Sequence, residues 1–201
     1  MNRREFLSGI AGAVLLKRMA LGLPSTQVGA NASTAFDVMV TFDNTYPFDS
    51  KDQTFSEDEK GIVTEAASRW KAAWATVDFK TQLINHKLER TQGLSNQKLY
   101  EKIMSANPKH ANYALTADPN HSETAVTSGS ITRLQKNWLD GSKGPAINRL
   151  VNTLAHEYTH TTEGGLFTHP YYQRLFGKNS VPIVVGNITE SIAEKLFPAA
   201  Q

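Results

Sequence analysis

Residues 145–161 carry the pattern that most limits how this chain can fold. Ile147, Leu150, Val151 and Leu154 recur at helical spacing and form one apolar stripe that must be buried against other elements. The same stretch then reads His156-Glu157-Tyr158-Thr159-His160. His156 falls two residues beyond Leu154, about 200° around the helix wheel, so the histidines face away from the stripe. Residues at i and i+4 stand one above the other on a helix. Two imidazoles in that relation can grip one metal ion, with Glu157 beside them in reach of a water at the ion. Pro145 suits the first turn of such a helix, where a missing N–H leaves nothing unsatisfied. A helix buried on one side with donors on the other implies a packed domain with a cleft.

The remainder of the chain is compatible with that. Its 201 residues are a single-domain length with enough apolar content, 40%, to bury a core. The sequence pI of about 8.8 invites a nucleic-acid reading, but the basic excess is local. Residues 1–32 hold Arg3, Arg4, Lys17 and Arg18 against Glu5; taking these from totals of 21 basic and 19 acidic residues leaves 17 and 18, a net charge of −1. No basic stripe with interleaved aromatics supports nucleic acid as a partner. The chain has no cysteine, which excludes disulfides, thiolate metal sites and a cysteine nucleophile together.

Residues 1–32 read as a signal peptide. A charged start is followed by an apolar, glycine-containing run over 7–16, too short to span a bilayer as a stable helix. Ala30-Asn31-Ala32 offers a small-residue cleavage site, giving a mature domain over 33–201. The order Arg3-Arg4-Glu5-Phe6-Leu7 resembles a bacterial twin-arginine signal, which exports folded proteins; that implies a periplasmic or secreted location and no stable membrane span in the mature form.

Along the domain, residues 36–42 alternate, with Phe36, Val38, Val40 and Phe42 on one face of a predicted strand. Ser56 and Glu59 make a capping box for a helix running to about Ala75, with Ile62, Ala66, Trp70, Ala73 and Trp74 at core spacing. Residues 79–90 fit a short helix or a strand. Ser95 caps a helix through Leu99, Ile103 and Met104. Residues 109–128 are turn-rich and contain His110 and His121; these and His86 read as surface histidines. Residues 131–139 predict a strand, at a sheet edge because Arg133 and Lys136 interrupt it. Asp140-Gly141-Ser142-Lys143-Gly144 is a loop.

A catalytic zinc takes three protein ligands and keeps a position open. His156 and His160 supply two. The third is His169, after the Gly164-Gly165 pair that lets the chain turn back, or Glu190 on a C-terminal helix, with Glu194 one turn later to brace a histidine. No G-x-S-x-G elbow supports a serine hydrolase.

His156-Glu157-Tyr158-Thr159-His160 resembles the active-site helix of the zincin metallopeptidases. In the metzincin branch the third ligand is a histidine in H-E-x-x-H-x-x-G-x-x-H; His169 comes three residues later than that, and no methionine follows Met104 to form a Met-turn. In the thermolysin-like branch it is the glutamate of E-x-x-x-D; Glu190-Ser191-Ile192-Ala193-Glu194 is similar, with Glu in place of Asp. From about residue 55 the chain also resembles small bacterial zincins with Gly-Phe-x-His after the motif and Ser-Val-Pro near the end, matched by Leu166-Phe167-Thr168-His169 and Ser180-Val181-Pro182. That resemblance favours His169. It implies an α+β, zincin-like fold: a small mixed sheet with an edge strand over a cleft. It further implies a Zn2+ cofactor, Glu157 as general base, and a peptide or protein substrate held along the edge strand. Tyr171, Tyr172 and Arg174 are candidate oxyanion donors. A non-enzymatic zincin-like binding protein and a metal-dependent amidase acting on cell-wall peptides are the alternatives; the intact Glu157 argues against the first, since a structural site needs no carboxylate there.

Overall fold

A computed structural model describes residues 36–43, 52–105, 109–117, 125–128, 130–139, 147–162 and 178–198. The expected signal peptide, the 140–144 loop, Pro145, His121, His169, Tyr171, Tyr172 and Arg174 lie outside the described residues.

The architecture is α+β. Five strands form one mixed sheet: β1 (Val38–Phe42), β2 (Asp52–Gln53), β3 (Lys109–Thr116), β4 (Ala125–Ser128) and β5 (Ile131–Gln135). The order is β1-β3-β5-β4, with β2 pairing antiparallel on β3 beyond the end of β1. β1, β3 and β5 run parallel, and β4 is antiparallel to β5. Among the described residues there are five helices: α1 (Glu57–Trp74), α2 (Val77–Asn85), α3 (Asn96–Ser105), α4 (Ile147–Thr161) and α5 (Val181–Leu196).

Local signals set several of these elements. The capping box forms as read: Ser56 Oγ accepts from Glu59 N–H at 3.2 Å, and Glu59 Oε2 accepts from Ser56 N–H at 2.7 Å. Two otherwise orphaned donors are satisfied where the acidic first turn also meets the helix dipole. Thr76 caps α2 by accepting from Phe79 N–H, so the ambiguous 79–90 stretch is a helix that ends at Asn85. Ser95 accepts from Lys98 N–H at the start of α3.

The helices cover one face of the sheet. Phe36 and Val38, Ala111, Tyr113 and Leu115 of β3, Leu134 of β5 and Ala125 of β4 join α1, α4 and α5 in one core. Its centre is aromatic. Trp70 and Trp74 of α1 are fully buried, with ring centroids 5.2 Å apart; Phe36 lies 4.6 Å from Trp74, and Phe79 stacks on Trp74 at 4.9 Å. Trp74 Nε1 donates to Thr189 Oγ1 of α5 at 2.8 Å, which ties the cluster to the last helix. Burial of each such ring stabilises by roughly 1.5–3 kcal/mol, with about 0.5–1.5 more per well-placed ring pair.

Three expectations need correction. Residues 109–116 are not turns but the central strand β3, paired on both sides. The segment 131–139 is not an edge: β5 lies between β3 and β4, ends at Gln135, and passes into a 3-10 turn over Lys136–Trp138. Among the described residues, β4 is the edge strand on this side of the sheet. Ile62 is not core but 36% exposed; Val63, wholly buried, takes its place, since the stripe through Ala66, Ala67, Trp70 and Trp74 continues to Val63 at helical spacing. His86 and His110 are exposed, as expected.

Candidate functional site

α4 is held from three sides. Leu150, Val151, Leu154 and Ala155 are buried against the core, and Tyr158 joins the aromatic cluster with its ring 4.9 Å from Trp70 and 6.0 Å from Phe36. Tyr158, midway between the motif's two histidines, is therefore an anchor into α1. Tyr158 and Thr159 occupy the inward face, so His156, Glu157 and His160 fall on the remaining one. His156 and His160 are half-buried, with ring centroids 5.2 Å apart. Threonines close the end of the helix: Thr159 Oγ1 donates to His156 O at 2.6 Å, and Thr161 and Thr162 both donate to Tyr158 O. The bonds to Tyr158 O satisfy one of the carbonyls that a helix C-terminus leaves open.

Glu157 is buried, at 7% exposure. An ionised carboxylate at that depth is strongly disfavoured unless cations or donors surround it. Its Oε1 lies 3.9 Å from His156 Nε2. One donor atom from each of His156, Glu157 and His160 falls within 4.8 Å of the others, a spacing at which a single metal ion can be held. Among the described residues this is the one such cluster. Two imidazoles and a carboxylate are a donor set that suits a divalent transition metal.

β4 lies beside this face. Thr127 Oγ1 donates to Glu157 O at 3.4 Å, so the edge strand meets α4 at the glutamate itself. Tyr113 of β3 is 1% exposed, and burial, reinforced by the charge of Glu157, pushes its phenol well above the ordinary range.

Glu190 sits half-buried on α5, one turn before the exposed Glu194. Its Oε2 accepts from Asn152 Nδ2 at 2.7 Å, and Asn152 also donates to Asn187 Oδ1 at 3.1 Å. Asn152 is one turn before His156, so Glu190 meets α4 above the histidines and lies outside the donor cluster. Gly186 permits the approach. A Cβ there would stand 2.4 Å from Asn152 Oδ1 and 3.1 Å from the Asn152 carbonyl oxygen. His169 lies outside the described residues.

Asn152, Gly186, Tyr113 and Thr127 all bear on the site, and sequence reasoning did not single them out. Asn152 could have been noticed as the polar residue four before His156; the other three carry no local signal. No helix among the described residues is long and apolar enough to cross a membrane. Neither a protein-family model nor a curated protein sequence matches this chain.

Proposed function

We propose that the protein is an exported, zinc-dependent metallopeptidase with a zincin-like domain, acting on peptide or protein substrates in the periplasm or outside the cell. The observation that carries this reading is the convergence of one donor atom each from His156, Glu157 and His160 at one end of a packed helix, with Glu157 buried and its main-chain carbonyl met by the edge strand β4. His156 and His160 are two zinc ligands. His169 is assigned as the third, because Glu190 is engaged by Asn152 and stands apart from the donor cluster. Bound there, zinc would supply a Lewis acid that polarises a carbonyl oxygen and a water.

The chain's own residues do the rest. Glu157 takes the proton from the attacking water as general base and returns it to the leaving amine. β4 runs antiparallel to its neighbour and supplies main-chain donors and acceptors along which an extended peptide can lie.

The test is metal dependence. The purified protein should carry about one zinc per chain. It should hydrolyse an unfolded protein substrate, lose that activity with the metal on chelation, and regain it on adding zinc. Full hydrolysis by the metal-free protein contradicts the reading. Among single variants, His169→Ala should lose zinc while Glu190→Ala retains it.

A further inference from the structure

The strand along which the proposed substrate would lie is short. β4 has four residues, Ala125–Ser128, and among the described residues it pairs with a single neighbour, β5. Strands held from one side open locally at a small fraction of the cost of global unfolding. A frayed strand cannot offer a straight edge to an extended peptide, so β4 needs a further support. Side chains alternate along it. Ala125 faces the core, Thr127 shares that face, and Val126 and Ser128 take the other.

The support is a pair of hydroxyls. By register Ala125 lies opposite Leu134, both in the core, and Thr127 lies opposite Thr132. Thr132 is 4% exposed, and a hydroxyl at that depth is costly unless it is hydrogen-bonded. The two Oγ1 atoms stand 2.8 Å apart, and Thr127 Oγ1 donates to Glu157 O at 3.4 Å. With the Thr127 proton turned to the helix, Thr132 is the donor in the bond between them. One side chain thus joins three elements: β5 through Thr132, β4 through its own backbone, and α4 through the main-chain carbonyl of Glu157.

We propose that Thr127 is a positioning residue for the edge strand: its hydroxyl, accepting from Thr132 and donating to Glu157 O, holds β4 at a set height against α4. That height decides where an extended substrate paired on β4 meets the donor cluster. The tie acts between strand and helix backbone and leaves the Glu157 carboxylate to the metal site. At 3.4 Å the bond to the helix is a weak one. Its value lies in placement, since a shift of about 1 Å in a bound substrate can cost about 100-fold in rate. The inference rests on the proposed peptidase reading, and two measurements keep the failures of each apart.

The first needs no activity: amide hydrogen exchange over β4 in the wild type, Thr127→Val and Thr127→Ser. Valine keeps the branched shape and removes the hydroxyl, whereas serine keeps the hydroxyl. Exchange over β4 should be about 3- to 10-fold faster in Thr127→Val and within about twofold of the wild type in Thr127→Ser. Equal exchange in the wild type and Thr127→Val, or equally raised exchange in the two variants, overturns the proposal. The second is steady-state hydrolysis of an unfolded protein substrate at full zinc content. Thr127→Val should lower kcat/KM about 10-fold, and Thr127→Ser should stay within about threefold of the wild type. Unchanged kcat/KM in Thr127→Val, or a serine variant no better than the valine one, overturns the positioning role. A wild type without hydrolysis removes the enzymatic reading and leaves the exchange measurement to decide whether Thr127 ties β4 to α4.

Discussion

The two faces of α4 are built by different physics. The inner face, Leu150, Val151, Leu154, Ala155 and Tyr158, is closed into a core of tryptophans and aliphatic residues whose stabilisation is spread over many weak contacts. The outer face, Asn152, His156, Glu157 and His160, carries directional bonds, among them those to Glu190, Asn187 and Thr127. One face decides whether the helix is there. The other decides what the helix can do, and it contributes little to whether the chain folds.

Substitutions should therefore separate along this line. The largest effect on stability is expected on the inner side. Trp70→Ala opens a cavity beneath Phe36, Trp74 and Tyr158 and should cost about 3–5 kcal/mol in denaturant unfolding. A loss under 1 kcal/mol would show that the aromatic cluster does not hold α4. Gly186→Ala comes next, since it tests the seam between the faces. The new methyl must displace the Asn152 amide from its place beside Glu190, an overpacking worth roughly 1–3 kcal/mol, offset by about 1 kcal/mol of better helix propensity. Net destabilisation is expected, read as a lower unfolding midpoint. The smallest effect belongs to the outer face. His160→Ala should leave the metal-free protein within about 0.5 kcal/mol of wild type, yet abolish zinc retention in a dialysed sample. A large stability loss there would erase the distinction.

The same division explains what could be read from the sequence. Ser56 with Glu59 announces a helix start because capping is a contact between residues three apart, and the structure holds those bonds. The stripe Leu150, Val151, Leu154 set against His156 and His160 is legible for the same reason: both faces are encoded within four turns. β3 was not legible. A strand buried on both faces needs no alternation, and Ala111-Asn112-Tyr113-Ala114 lacks the β-branched residues that mark strands elsewhere. The edge of the sheet was misplaced because position in a sheet is a property of pairing partners. Arg133 and Lys136 look like edge residues, but β4 adds itself outside β5. Asn152 meeting Glu190, and Thr127 meeting Glu157, link residues 38 and 30 positions apart, and no local pattern records such meetings.

The central claim is that Glu157 works as a base between two metal-binding histidines. Comparing zinc content and hydrolysis of an unfolded protein substrate in Glu157→Gln and wild type tests it most directly. The variant keeps the size and most of the hydrogen bonding of the side chain while removing its basicity. It should retain about one zinc per chain and lose about 10²- to 10⁴-fold in kcat. Equal activity in the two proteins, both loaded with zinc, would contradict the account.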